Sequence, residues 1–166
     1  LGQQLAAKKM KAEAASAEEI SRHVRETISQ SRLLARGLSP VVLESEGLMS
    51  ALQELAASTA QMFRVSCKFD CEKPVLFDDH VVALHLYRIA QEAIQNAVRH
   101  SAAKNIRAEL TMRANEIQLC IADDGRGFDV TSIPLDSLGL GIMRERAEDI
   151  LASLSVQSRT GQGTEV

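Results

Sequence analysis

Apolar residues recur along this chain with two different periods, and the change of period separates its parts. Ile20, Val24, Thr27, Ser31, Leu34 and Leu38 follow alternating four- and three-residue steps, the spacing of a heptad seam on a helix. That helix begins near Ser16, where Ser16-Ala17-Glu18-Glu19 offers a hydroxyl cap with a carboxylate at the third helical position. Residues 1–15, rich in Ala, Lys and Gln, read as the end of a preceding helix. Pro40 stops the seam, and Gly37 already weakens it. A lone helix cannot bury such a stripe. Its cover is either a helical hairpin that pairs with a second copy as a four-helix dimer or the chain's own globular part, and periodicity alone does not choose between them.

Beyond a hinge near residues 37–47 the pattern becomes mixed. Leu48, Leu52, Leu55 and Ala56 predict an amphipathic helix at about residues 47–62, and Val65 to Asp70 reads as a strand closed by Lys73-Pro74. Asp78 or Asp79 can cap the next helix, whose buried stripe is Val82, Leu86, Ile89, Ala93 and Ala97. Lys104 to Met112 and Glu116 to Ala122 are then two strands joined by a turn at Ala114-Asn115, the second alternating at Ile117, Leu119 and Ile121. A helix from about Leu140 to Ala152 and a strand from Ser153 to Ser158 complete the pattern.

At 166 residues and 45% hydrophobic content, the chain can bury a real core and suits one or two small domains. Its formal charge of −3 gives no basic field for nucleic acid, and no apolar run reaches the ~18 residues that spanning a membrane takes. The N-terminus lacks the apolar segment of a signal peptide, so any membrane or sensory region is expected outside these boundaries. Cys67, Cys71 and Cys120 are too few for a disulfide framework, which fits a reducing cytoplasm. Cys67 and Cys71 would share one face of a strand, but no second pair exists to complete a zinc site, so packing is the favoured role.

Candidate chemistry begins where the alternating strand ends, at Asp123-Asp124-Gly125-Arg126-Gly127-Phe128. Glycines at this spacing let the backbone turn tightly and approach a ligand, and a strand-end carboxylate can accept a hydrogen bond from an amino group. Alone, the motif is better explained by an ordinary hairpin turn. The preceding helix adds Glu92, Asn96 and His100 at i, i+4 and i+8, on one face at roughly 6 Å per step. A carboxylate, an amide oxygen and a basic group in a row suit a magnesium-bound triphosphate, since oxygen ligands reach the hard cation and basic groups meet phosphate. In isolation a solvated polar face would be the preferred reading of that triad. The segment Asp129 to Leu138 is either a plain loop or a flap able to close over a nucleotide, and glycines at the start of the next helix leave N–H groups free for phosphate.

Taken in order, Tyr87-Arg88-Ile89-Ala90-Gln91-Glu92-Ala93-Ile94-Gln95-Asn96-Ala97-Val98-Arg99-His100, the Asp123 to Phe128 stretch, Gly139-Leu140-Gly141 and Gly161-Gln162-Gly163-Thr164 resemble the motifs of the histidine-kinase ATP-binding domain. They correspond to its N box, the two glycine boxes around its lid and its closing G-x-G-T. Motifs in the right order across residues 80–166 are far harder to obtain by chance than any one alone. The short gap between Phe128 and Gly139, with Gly141-Ile142-Met143-Arg144-Glu145-Arg146-Ala147, is most similar to kinases that pair with LuxR/NarL-type response regulators. Ser31-Arg32-Leu33-Leu34-Ala35-Arg36-Gly37-Leu38-Ser39-Pro40 is similar to the end of their second dimerisation helix and tips the seam towards a homodimer.

The resemblance implies an α+β chain with a helical hairpin (a dimeric four-helix bundle) over residues 1–40, incomplete at its N-terminus. A linker follows over residues 41–47, and a Bergerat-type α/β sandwich binding ATP over residues 48–166. It makes Asn96 the Mg2+ ligand, with Glu92 orienting it or a water, and brings Arg99 and His100 towards the phosphates. Asp123 takes the adenine amino group, Gly125 and Gly127 shape the pocket, and Gly139 and Gly141 serve the closing lid. Thr164 bonds phosphate or lines the adenine pocket. Asp124 stands where Asn is frequent, Leu151 where relatives often have Gly, and the last strand of the family fold is cut short at Val166.

The function so implied is that of a cytoplasmic kinase core, which phosphorylates a histidine from ATP and passes the group to an aspartate of a response regulator. Leu1-Gly2-Gln3-Gln4-Leu5 resembles the tail of the family's H-D-x-L-G-Q pattern, which would put the acceptor three positions before Leu1 and make Gln3 the candidate for any phosphatase activity. His23 lies outside such a motif and is a poor substitute. Two other classes share the fold or the parts: clamp-type ATPases and anti-sigma-factor kinases, and an inactive dimerisation module. The long heptad helix argues against the first, and the presence of Asn96, Asp123, Gly125, Gly127 and Gly141 against the second.

Overall fold

The stripe at Leu48, Leu52, Leu55 and Ala56 is buried along one side of helix α1 (Gly47–Phe63) in a computed structural model that describes residues 47–75, 79–113, 116–130 and 138–166. The chain divides into Leu1–Pro40 and Val41–Val166, and all described residues fall in the second unit. The expected dimerisation hairpin, the Ala114-Asn115 turn, the Asp78 cap and most of the expected lid lie outside the described residues.

Strand β1 (Ser66–Asp70) turns Cys67 inward and leaves Ser66, Lys68 and Asp70 exposed. Helix α2 (His80–Asn96) is started by Asp79, whose Oδ1 accepts the N–H groups of Val81 at 2.9 Å and Val82 at 3.0 Å. Such a cap is worth about 1 kcal/mol. The face carrying Leu86, Ile89, Ala90, Ala93 and Ile94 is buried, and α2 returns the chain so that β2 (Asn105–Arg113) runs parallel to β1. Strand β3 (Glu116–Asp123) pairs antiparallel with β2, then helix α3 (Leu138–Asp149) packs back against α2 through Met143 and Ala147. The short strands β4 (Gln157–Ser158) and β5 (Thr164–Glu165) close the sheet in the order β1-β2-β3-β5-β4.

All three helices cover one face of this sheet. Ile106, Ala108 and Leu110 of β2 and Ile121 of β3 point into the core they share, with Leu52, Ile94 and Met143 among its fully buried side chains. The other face carries polar groups such as Arg107, whose guanidinium lies 3.0 Å from Asp70 and 3.3 Å from Glu109. These exposed pairs add little to stability. Burial pushes the Cys67 thiol up to about 11, in keeping with a packing role, and no His, Cys, Asp or Glu cluster of metal-binding type occurs among the described residues. Nor is any described helix long and apolar enough to cross a membrane.

Two elements differ clearly from the periodicity: helix α3 starts two residues before Leu140 and ends at Asp149, and β4 spans only Gln157–Ser158 instead of Ser153 to Ser158. Past β5, Val166 exchanges both backbone bonds with Ile121 at 2.9 Å. Leu154 and Val156 are half-buried as an alternating strand requires.

Helix α3 ends in a left-handed cap. The Ala152 N–H reaches the Ala147 carbonyl at 2.8 Å and the Leu151 N–H that of Glu148 at 3.0 Å, with Leu151 at φ +54°. Glycine is the usual residue there, because a Cβ in the left-handed region is strained. Leu151 is 97% exposed, so it has no packing to set against that strain. Leu151→Gly should therefore stabilise the domain by roughly 0.5–1 kcal/mol, seen as a higher midpoint in thermal denaturation; an unchanged or lower midpoint would contradict this account.

Candidate functional site

The register of β3 and β5 sets Asp123 opposite Thr164 at one end of the sheet. Both line a cavity of about 490 Å³ that reaches between α2 and α3. Ile121, Met143 and Val166 give it apolar walls, while Asn96 and His100 of the α2 side and Gly139 of α3 line it elsewhere. A pocket of this size and composition suits a drug-sized or nucleotide-sized ligand.

Asp123 is held by its own loop. One carboxylate oxygen accepts the Gly125 N–H at 2.8 Å, which leaves the other for a ligand. Asp124 turns the opposite way and staples the loop to the start of β2. Its carboxylate accepts the N–H groups of Lys104 and Asn105, each at 2.8 Å, and the Asn105 side-chain amide at 2.7 Å. Those bonds, the Asn105 N–H first among them, hold the Asp124 carboxyl below the usual carboxylate range. Its work here is architectural, a job the motif alone did not reveal.

The glycines of the loop are fixed by close approach. A Cβ on Gly125 would run into the side chain and carbonyl of Ser101, which also accepts the Arg126 N–H at 2.8 Å. Gly127, at φ +56°, lies under the carbonyl of Arg159, and Gly163, at φ +76°, under that of Asp123. At both, positive φ and lack of space exclude any side chain.

The end of α2 is not a plain α-helix. Ala97–Ser101 is wound as a π-helix, the Ser101 hydroxyl donates to the Ala97 carbonyl at 2.6 Å, and Ala102 leaves the helix at φ +54°. Such widened turns are often found at functional sites. Here one carries His100 and Ser101 to the cavity wall beside Asn96. Glu92 stands one turn earlier: a Cβ on Gly139 would come within 2.6 Å of its Oε1 and 3.2 Å of Asn96 Nδ2. The first turn of α3 thus abuts the two residues expected to handle the metal.

Six of the expected site residues therefore line one cavity: Asn96, His100, Asp123, Gly127, Gly139 and Thr164. Glu92 borders it through Gly139, and Gly125 lies behind it on Ser101. Arg99 is exposed and Gly141 sits in the first turn of α3, neither lining the cavity. Arg126 and Phe128 do line it, though the sequence offered only their place on either side of Gly127 as a signal. Ser158 was also missed. Its hydroxyl meets the Phe128 N–H, the Gly163 carbonyl and the Thr164 hydroxyl, each at 2.9 Å, and so ties both ends of the β4–β5 hairpin to the loop after β3. His85 stitches α2 to α3, its Nδ1 lying 3.1 Å from the Arg146 carbonyl oxygen.

A family model described as histidine kinase-, DNA gyrase B- and HSP90-like ATPase matches residues 81–166. The sensor histidine kinase LiaS of Bacillus subtilis is 33% identical over 141 residues, which cover 85% of this chain and 39% of LiaS. The nitrate/nitrite sensor protein NarX of Escherichia coli is 32% identical over 124 residues, 75% of this chain and 21% of NarX. The chain thus spans about two fifths of LiaS and one fifth of NarX. Among solved structures, the histidine kinase domain of a blue-light activated kinase from Erythrobacter litoralis has a TM-score of 0.60 at 21% identity, covering 71% of this chain and 58% of that one. The ATP-binding domain of PrrB from Mycobacterium tuberculosis has a TM-score of 0.58 at 17% identity, covering 71% and 88%. The described residues therefore have the fold of a histidine-kinase ATP-binding domain, the sandwich expected from the motifs.

The Asp124 staple makes a prediction about pH. Its folded pKa is depressed, so the stability it contributes is present above the ordinary carboxylate range and is lost as pH falls through the depressed value. Asp124→Ala should lower the denaturation midpoint at pH 7 and lose less than the unmodified chain does on acidification. Asp124→Asn should fall between them, since its amide oxygen can still accept the two backbone N–H groups. Parallel pH dependences for all three proteins would exclude the staple as a source of stability.

Proposed function

The chain belongs to the histidine kinase-, DNA gyrase B- and HSP90-like ATPase family, and we propose that it is the kinase core of a two-component sensor histidine kinase, binding ATP with magnesium in the cavity beside Asp123. The observation that carries this reading is the convergence of Asn96, His100, Asp123, Gly139 and Thr164 on one cavity from four separate elements. The donor set fits the group. Apolar walls suit a purine ring, Asp123 keeps one carboxylate oxygen for an amino group, and Asn96 offers an amide oxygen of the kind a hard cation takes.

Each part has a task in that reading. Asn96 holds the metal, and Glu92, pressed against Gly139 in the same corner, orients Asn96 or a water. His100 and Arg126 bring donors to the phosphate side, and the first turn of α3 adds N–H groups that no intrahelical carbonyl takes. Magnesium, held by Asn96, would supply neutralisation of the charge that builds up on the phosphates during transfer. The protein's contribution is placement, which is most of what phosphoryl transfer asks of it. The acceptor is a histidine preceding Leu1, and the phosphoryl group passes on to an aspartate of a LuxR/NarL-type response regulator. A homodimer through residues 1–40, a cytoplasmic setting and a lid over residues 129–138 belong to the same proposal, with Arg99 and Gly141 acting once that lid closes.

Calorimetric binding of a non-hydrolysable ATP analogue tests it. The unmodified chain should bind, more tightly with magnesium. Asp123→Ala should weaken binding about tenfold to a hundredfold with or without the metal. Asn96→Ala should abolish the gain that magnesium gives. No binding by the unmodified chain, or binding indifferent to both substitutions, would sink the proposal.

A further inference from the structure

We propose that Ser158 is a positioning residue that fixes the Thr164 hydroxyl as a hydrogen-bond acceptor and so makes the Asp123–Thr164 end of the cavity select a 6-amino over a 6-oxo purine. The inference rests on the nucleotide reading above and extends it to a residue outside the motifs.

The argument is one of hydrogen-bond capacity. A serine hydroxyl has one proton to donate and two lone pairs to accept with. Ser158 Oγ has three partners, each at 2.9 Å: the Phe128 N–H, the Gly163 carbonyl and the Thr164 hydroxyl. The Phe128 N–H can only donate, and the Gly163 carbonyl can only accept. The Ser158 proton therefore goes to Gly163, and the bond to Thr164 is made by the Thr164 proton. Thr164, which lines the cavity, is left with lone pairs alone.

Its register partner Asp123 is in the same condition. One of its oxygens is taken by the Gly125 N–H, and the other is left as an acceptor. Two acceptors thus stand side by side. An exocyclic amino group satisfies them, whereas a 6-oxo group would set a third acceptor against them. Without Ser158 the Thr164 hydroxyl loses its fixed partner and can swing to donate into the cavity, which removes the penalty.

The test compares binding of ADP and inosine diphosphate, which differ at the 6-position and in the N1 proton that goes with the 6-oxo group, to the unmodified chain, Ser158→Ala, Ser158→Thr, Thr164→Val and the double variant Ser158→Ala/Thr164→Val. The ADP preference should fall on the order of tenfold in Ser158→Ala and return in Ser158→Thr, which keeps the hydroxyl. Thr164→Val should lower the preference too, and adding Ser158→Ala to it should change the ratio no further. A ratio unmoved by Ser158→Ala while ADP still binds would overturn the positioning role and leave the nucleotide reading standing. Failure of the unmodified chain to bind either diphosphate would remove the nucleotide reading itself. Should Ser158→Ala not fold, an undiminished ADP preference in Thr164→Val overturns the proposal alone.

Discussion

The pairing of β3 with β5 is the constraint on which the site depends. Its register decides that Thr164 faces Asp123 and that Val166 meets Ile121. A slip by one residue would turn Thr164 to the opposite face of the sheet. The Ser158 hydroxyl and the two left-handed glycines, packed under backbone carbonyls, hold that register alongside the ladder bonds. The specificity proposed for this end of the cavity and the stability of the hairpin consequently rest on the same bonds.

The opposite wall is fixed by different means. Helix α2 is held by a carboxylate cap at Asp79 and by a broad buried face, so its axis is well defined before the chain reaches Asn96. Helix α3 is less deeply committed, with Met143 and Ala147 the buried side chains among its described ones and the His85 contact near its far end. A well-anchored wall facing a lightly anchored one suits a cavity that must admit a charged ligand and then surround it.

Much of this was legible in the sequence because it is local. The spacing of Leu48, Leu52 and Leu55 located α1, the stripe from Val82 to Ala97 located α2, and the alternation at Ile117, Leu119 and Ile121 located β3. Other features were hidden because they depend on neighbours distant in sequence. Helix α3 begins before its glycines, since the first turn of a helix asks little of its residues' intrinsic preference when tertiary contacts hold it. The alternation at Leu154 and Val156 is genuine, but a strand is completed by its partner, which β4 finds at Gln157 and Ser158. Asp124 and Ser158 were opaque because a carboxylate or hydroxyl declares its role only when its acceptors and donors are in view.

The π-wound turn at Ala97–Ser101 has a consequence for how this region can change over time. Such a turn holds one residue more than the α-helix around it, so removing a residue there would regularise the helix and leave it continuous. Because the widened turn takes up that residue within itself, the segments on either side would keep their rotational phase. What would be lost is the widening, which brings His100 and Ser101 to the cavity wall and seats Ser101 beneath Gly125. A shortened copy would accordingly keep a continuous helix and a sound fold while losing that wall, so the length of this stretch carries information of its own beside its letters.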